Sequence, residues 1–244
     1  MCENCKTGLD RRSFLTLAGF GAAALATGLT ATGLTMSQAR AAGGPTTTLT
    51  ADQALAKLKE GNERYVANAQ LCAADLTHQR EHGTHGQAPW ATVISCADSR
   101  VPPELLFGGL GLGELFVCRN AGNVVDIDVL GTIEYGAAVL GSPLIVVMGH
   151  SSCGAVSAAC DVVAKNATYP GSIGQMIEPI VPAALAVKDK GGDFVDATVR
   201  ESAKRSAARL PSRSPVVSDL VAKGKVKVVA ARYDLESGKV EFLA

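Results

Sequence analysis

The segment Leu-Ile-Val-Val-Met at residues 144–148 is an uninterrupted apolar run, and it leads within two residues to His-Ser-Ser-Cys-Gly at 150–154. Because the run follows Pro143 and has no polar residue on either face, it predicts a strand that is buried on both sides, as central strands of parallel sheets are. Ligand sites in open parallel sheets form beyond the carboxyl ends of the strands. The residues that follow this strand are therefore candidates for a functional site.

Other segments on both sides of this strand predict the rest of an α/β fold. Apolar, β-rich runs at 90–95, 115–118 and 225–232 predict further strands, and residues 240–243 return after a turn at 233–239. Helical periodicity predicts helices from the capping box at Thr50 and Gln53, and at 124–140, 153–164, 173–189 and 194–209. The alternation predicts a mainly parallel central β-sheet flanked by helices, with an antiparallel C-terminal edge hairpin.

Length and composition exclude several classes of protein. The chain has 244 residues, of which 47% are hydrophobic and 19% charged, so it can bury a sizeable core and is not globally disordered. Basic and acidic residues balance at 23 each, which argues against a nucleic-acid binder because such proteins need a basic surface. Seven cysteines, an odd number without framework spacing, favour metal binding or free thiols over a disulfide scaffold.

Residues 1–41 have the features of a secretory signal peptide. Arg11 and Arg12 precede a long uncharged stretch, and Ala-Arg-Ala at 39–41 resembles a cleavage site. The paired arginines followed by Ser-Phe-Leu are typical of the twin-arginine type, whose passengers cross the membrane already folded. A retained transmembrane anchor is the alternative, since the uncharged run exceeds the ~20 residues that span a bilayer. The many Gly and Thr residues make it a weak span, so no stable membrane anchor is expected.

The predicted organisation is a signal peptide at 1–41, a linker at 42–49 and a single catalytic domain at 50–244. The predicted location is periplasmic or otherwise exported, with the twin-arginine export machinery as a partner during transport.

Cys96, His150 and Cys153 form the predicted metal site. Cys96 directly follows the strand at 90–95, and the other two follow the strand at 144–148, so all three face one crevice. Two thiolates and one imidazole suit Zn²⁺, and three protein ligands leave the fourth tetrahedral position open, as in catalytic sites. The alternative is that each cysteine is only a small buried apolar residue.

Asp98 and Arg100 lie beside the first of these ligands. An arginine that holds the aspartate by two charge-assisted hydrogen bonds keeps it off the metal and leaves it able to accept a proton from metal-bound water. The alternative is an ordinary surface ion pair worth about 0–1 kcal/mol.

Cys-x-Asp-x-Arg at 96–100, followed by His-x-x-Cys-Gly at 150–154, resembles the β-class carbonic anhydrases. The resemblance covers about residues 50–243 and includes Gly61-Asn-Glu-Arg-Tyr65, Gln87-x-Pro89, Val101-Pro-Pro-Glu104, Gly113-Glu-Leu-Phe-Val117, Arg119-Asn-Ala-Gly-Asn123 and Glu134-Tyr-Gly136.

The resemblance implies reversible hydration of CO₂ to bicarbonate and a proton by a zinc-bound hydroxide, with one Zn²⁺ per subunit. It implies that Gln87 hydrogen-bonds bicarbonate, and that Phe116 and Tyr135 line an apolar CO₂ pocket at a dimer interface. Gly154 would let the backbone pass close to the metal. A homodimer or higher homo-oligomer is therefore expected.

Some features depart from the family's pattern or carry no role in it. Val93 stands where a subclass with an inhibitory bicarbonate site commonly has Trp, so that regulation is not expected. The glycine-rich residues 108–113 precede a strand instead of following one, which argues against a dinucleotide site. A polar segment that contains three histidines is predicted to be an exposed loop; these are His78, His82 and His85. Metal binding or proton transfer by them is the alternative. The remaining thiols of the mature chain, Cys72, Cys118 and Cys160, are most simply buried.

Two other functions remain open from the sequence. A relative with the same zinc site would hydrolyse another small heterocumulene, such as carbonyl sulfide or carbon disulfide. A catalytically silent zinc-binding assembly module is the second alternative, although it would have no chemical need for Asp98, Arg100 or Gln87.

Overall fold

The structure is a computed structural model that describes residues 46–69, 80, 83 and 86–243. The predicted signal peptide and residues 42–45 of the predicted linker lie outside these residues, as do Cys72, His78, His82 and His85. Within the described part, no helix is long and apolar enough to cross a membrane.

The strands of the described chain form one sheet, in the order β2-β1-β3-β4-β5. They are β1 (Ala91–Cys96), β2 (Leu115–Asn120), β3 (Leu144–His150), β4 (Lys227–Tyr233) and β5 (Val240–Leu243). Strands β1 to β4 are parallel, and β5 runs antiparallel to β4, with Tyr233 opposite Val240. The predicted fold class, a mainly parallel sheet with an antiparallel C-terminal hairpin, is confirmed.

Helices connect these strands and cover the sheet. They are α1 (Ala51–Ala67), α2 (Pro103–Leu106), α3 (Ile127–Glu134), α4 (Gly154–Lys165), α5 (Ile173–Ile177), α6 (Val181–Val187), α7 (Phe194–Arg213) and α8 (Pro215–Ala222). Helix α1 begins at the predicted capping box, in which the Thr50 hydroxyl accepts from the Gln53 N–H and the Gln53 side chain accepts from the Thr50 N–H.

Three helix predictions need correction. The predicted helix 173–189 is divided into α5, a 3₁₀ turn and α6, because Pro179 and Pro182 have no N–H to donate within a helix. The predicted helix 124–140 begins only at α3, after Asp126 caps it by accepting from the Val129 N–H, and it ends in a π turn at Tyr135–Val139. Helix α7 extends beyond residue 209, and α8 was not predicted as a separate helix.

The core lies on both faces of the sheet, as the apolar run at 144–148 predicts. Along β3, Ile145 and Val147 pack against α3, α7 and α8, whereas Val146 and Met148 pack against α1 and α2. All four side chains are fully buried. Since β1 and β3 are parallel neighbours, their carboxyl ends meet at one edge of the sheet.

Candidate metal centre

The three predicted ligands lie where two neighbouring strands and one helix meet. Cys96 is the last residue of β1, His150 is the last residue of β3, and Cys153 is the N-cap of α4. Their ligand atoms lie within 4.8 Å of one another, and all three residues are buried. The sheet therefore brings together the residues that the sequence predicts as ligands.

The His150 ring is oriented for a metal. Its Nδ1 lies 2.9 Å from the carbonyl oxygen of Ser151. A carbonyl only accepts, so Nδ1 carries the proton and donates it, which leaves the Nε2 lone pair available. Nε2 is buried, and within the described residues it has no hydrogen-bond partner. An orphaned acceptor beside two thiols is the arrangement that a bound cation would complete.

The separation of the two sulfur atoms also fits a metal. Cys96 Sγ and Cys153 Sγ are 3.9 Å apart. Two sulfurs held tetrahedrally at ~2.3 Å from one Zn²⁺ would lie ~3.8 Å apart. The donor set and its spacing are therefore suited to zinc, and among the described residues no other cluster of this kind is found.

Hydrogen bonds favour ionisation of one thiol of the pair. The hydrogen bond shared with Cys153 lowers the pKa of Cys96 against the opposing effect of burial, and the Gly122 N–H lowers it further. The same shared bond, together with burial, raises the pKa of Cys153. The shared hydrogen bond therefore favours a single negative charge on the pair, and a bound cation favours loss of both protons.

Asp98 is fixed beside the ligands by Arg100. Arg100 donates from its backbone N–H and from Nε to Asp98 Oδ1, each at 2.9 Å, and from its terminal nitrogen to Oδ2 at 2.6 Å. These bonds hold the pKa of Asp98 well below its ordinary value, against the opposing effect of burial. Asp98 Oδ2 lies 3.9 Å from His150 Nε2, so this is not an ion pair on a remote surface.

Phe116 and Tyr135 form an apolar patch away from the ligand atoms of the same chain. Their ring centroids are 6.0 Å apart, and with Ile127 they form the apolar part of an open cavity of about 470 Å³, which Asp128 and Thr132 also line. In the β1–β2 register Phe116 is opposite Thr92, four residues before Cys96. That offset is ~13 Å along the strand.

Gln87 and Gly154 lie at different distances along the fold from the predicted ligands. Gln87 is exposed and precedes the amino end of β1, whereas Cys96 ends that strand. Gly154 is the first residue of α4 and directly follows the predicted ligand Cys153.

Comparisons with known proteins identify the family. A family model described as "Carbonic anhydrase" matches residues 91–240. Carbonic anhydrase 2 of Mycobacterium tuberculosis is 40% identical over 183 residues, which are 75% of this chain and 87% of that protein. This chain belongs to the β-class carbonic anhydrases.

Solved β-carbonic anhydrases share its fold. One, from a study of two tetrameric enzymes of Sordaria macrospora, has a TM-score of 0.61 at 25% identity and covers 68% of this chain and 88% of its own. The Coccomyxa enzyme in complex with acetazolamide has a TM-score of 0.58 at 26% identity and covers 81% of this chain and 87% of its own. The protein is accordingly a zinc enzyme that reversibly hydrates CO₂ to bicarbonate and a proton.

Other contacts of this carbonic anhydrase were not predicted from its sequence. The Gly122 N–H donates to Cys96 Sγ at 3.3 Å, in a turn where Gly122 has φ +78°. Asn120 holds that turn, since its amide accepts from the Val124 N–H and donates to the Val124 carbonyl. The motif at 119–123 was the available signal, but a residue pattern alone assigns no role to a backbone N–H.

Proposed function

We propose that Cys96, His150 and Cys153 bind one Zn²⁺ per subunit, and that Asp98, held by Arg100, positions the water that attacks CO₂. The observation that carries this proposal is the buried set of two thiols and one imidazole, with His150 Nε2 lacking any other partner among the described residues. Bound Zn²⁺ supplies Lewis acidity that lowers the pKa of water toward about 7.

Asp98 acts as an oriented acceptor in this proposal. Arg100 donates to both of its carboxylate oxygens, so the carboxylate stays beside the ligand atoms instead of joining them. Oδ2 remains the oxygen nearest the His150 ring. A water O–H that points at Oδ2 donates a hydrogen bond to it, and this contact turns the water's lone pair toward the substrate.

Residues contributed across a subunit interface complete the substrate pocket. Phe116 lies away from the ligand end of β1 by its register with Thr92, Tyr135 lies against Phe116, and Gln87 precedes the amino end of β1. Tyr135 and Ile127 are exposed, and they present an apolar surface beside Phe116. The Sordaria macrospora relatives are tetrameric. A homo-oligomer would bury this surface and bring these side chains toward the centre of a neighbouring subunit.

Export is part of the proposed function. The Arg11-Arg12 pair supports a twin-arginine signal and therefore a periplasmic or otherwise exported location. The catalytic domain would then begin near residue 50, after the signal peptide and the linker. Folding before transport would let the thiols bind zinc before they reach an oxidising compartment. Replacing both arginines with lysine should keep the protein in the cytoplasm; export of this variant at the unmodified level would contradict the proposal.

Zinc content tests the ligand assignment independently of turnover. Cys96→Ser should lose most of the zinc that metal analysis finds in the unmodified protein, because a hydroxyl is a far weaker zinc donor than a thiolate. Cys160→Ser is the matched control, since Cys160 is also buried but lies against the Thr198 hydroxyl, 3.3 Å away. Full zinc content in Cys96→Ser would contradict the assignment.

A further inference from the structure

Arg119 joins two backbone carbonyls that flank the metal centre. It lies on β2, opposite Ser95 of β1, with an exposed side chain. Its Nε donates to the carbonyl of Cys96 at 3.0 Å, and its terminal nitrogen donates to the carbonyl of Asp98 at 2.6 Å. One guanidinium therefore holds the peptide segment that carries both a predicted zinc ligand and the predicted dyad carboxylate.

This segment lies at the edge of the sheet, where β2 still pairs with it and β3 no longer does. The last β1–β3 register pair is Ser95 with Met148, so Cys96 is already beyond it. On the β2 side, the Ala97 N–H still donates to the carbonyl of Asn120. Further along, the Val101 N–H donates to the carbonyl of Asp98. Arg119 adds one donor to the Cys96 carbonyl at the end of β1 and one to the Asp98 carbonyl, which also accepts from the Val101 N–H.

We propose that Arg119 is a positioning residue, whose planar guanidinium fixes the peptide between Cys96 and Asp98 and so sets the sulfur ligand and the carboxylate relative to each other. This inference rests on the metal site proposed above. Arg119 acts only through those two carbonyls, so its effect reaches the reaction through Cys96 and Asp98.

The chemistry of the side chain explains why arginine is suited to this position. A guanidinium presents several N–H donors in one rigid plane, and two of them reach carbonyls two residues apart. Lysine has the same charge, but its ammonium is a single point on a flexible stem, so it cannot fix two carbonyls in one plane. The rigid fork, and not the charge alone, is therefore the property to test.

The test compares Arg119→Gln and Arg119→Lys with Arg209→Gln, which removes an exposed arginine of α7 outside the site. Three properties are measured on the full chain: the visible spectrum of the cobalt-substituted protein, the rate of zinc transfer to a chelator, and kcat and KM for CO₂. The spectrum and the zinc transfer rate do not depend on turnover, so they separate this inference from the proposed function.

Arg119→Gln should release zinc about 10–100 times faster, the usual scale for losing a residue that supports a metal ligand. Its cobalt spectrum should change and kcat should fall with little change in KM, while Arg119→Lys should recover only part of the difference. Arg209→Gln should match the unmodified protein in every property.

Two results would overturn the inference. One is an Arg119→Gln variant whose thermal stability falls while its cobalt spectrum and its rate of zinc release do not change. The arginine would then only stabilise the fold. The other is full recovery by Arg119→Lys, because charge alone would then suffice. If Arg119→Gln does not fold, Arg119→Lys still decides between the rigid fork and the charge.

Discussion

At the scale of single residues, the Asp98–Arg100 contact determines what the carboxylate can do. Asp98 is close enough to the ligand atoms to compete for a cation, with Oδ2 only 3.9 Å from His150 Nε2. Three N–H donors of Arg100 occupy its two oxygens instead. Charge-assisted hydrogen bonds of this kind are strong and directional, so the arginine sets the direction of the carboxylate.

Replacing Arg100 with Gln should lower kcat for CO₂ hydration by about 10–100-fold, because Asp98 loses the bidentate contact that orients it. Zinc content should be retained, since Arg100 is not a ligand. Stopped-flow assays and metal analysis on the same preparation measure both quantities. Arg209→Gln serves as the control, and an Arg100→Gln enzyme with unchanged kcat would contradict this role.

Asp234 gives a prediction about pH and stability that does not involve the metal. The Ser237 N–H and hydroxyl donate to it at 2.8 Å each, and with Arg232 they hold the pKa of Asp234 at about 2. A depressed folded-state pKa stabilises the fold at pH values above the unfolded value of ~3.9. That stabilising contribution is lost as the pH falls through the pKa of Asp234 in the folded state.

Asp234→Asn should therefore have a lower free energy of unfolding than the unmodified protein. The difference between the two should be constant from pH 7 to about 5 and should shrink between about pH 4 and 2. Urea unfolding of both proteins across this range measures the difference. A difference that is equally large at pH 7 and at pH 2 would show that the charge of Asp234 does not stabilise the turn.

At the scale of elements, helix α1 is held against the rest of the fold by two adjacent residues. The buried Asn62 amide donates to the carbonyls of Leu106 and Gly238, and its oxygen accepts from the Val240 N–H. Gly61 lets the helix approach α2 closely, since a Cβ there would lie 2.0 Å from the backbone oxygen of Phe107. The helix must move away if that position carries a side chain.

Gly61→Ala should accordingly lower the free energy of unfolding by about 1–3 kcal/mol, the usual cost of overpacking a close contact. Gly174→Ala is the matched control, because its Cβ would meet only the Tyr169 carbonyl at an ordinary 3.6 Å. The control should be neutral or up to ~1 kcal/mol more stable, since alanine favours helix over glycine. Equal stability of the two variants would contradict the close-contact argument.

Strands and helices differed in how far the sequence predicted them. The strands β1 and β3 were found from their apolar runs, because burial along the whole strand leaves a strong local signal. Helix boundaries were less accurate where local chemistry overrides periodicity, as at Asp126, which delays α3, and at Pro179 and Pro182, which divide one predicted helix. The capping box at Thr50 was predicted because both of its partners lie within four residues.

At the scale of the whole molecule, the ligand cluster was predictable and the substrate pocket was not. Cys96 and His150 end two neighbouring parallel strands and Cys153 follows three residues later, so a parallel sheet brings them together. The roles proposed for Gln87, Phe116 and Tyr135 depend on what would face them from a neighbouring subunit. Register within one chain carries no such information.

Ile127 tests the proposed assembly. Its side chain is 76% exposed beside Phe116 and Tyr135, so Ile127→Glu should place a charge in the proposed interface. Analytical ultracentrifugation should show that the dissociation constant of the oligomer rises about tenfold or more, the scale expected when a buried interface contact is lost. Leu185→Glu, at a residue 51% exposed on α6, should leave assembly unchanged. Unchanged assembly of the Ile127→Glu variant would contradict an interface at this surface.

The most direct test of the central claim is stopped-flow CO₂ hydration by the zinc-loaded chain beginning at Ala42, followed with a pH indicator from about pH 7 to 9. We predict fast hydration in the unmodified protein and in Cys160→Ser, a rate that rises with pH, and loss of activity in Cys96→Ser. Zinc-loaded protein without measurable hydration across this range, or a Cys96→Ser variant that retains the full rate, would contradict the account.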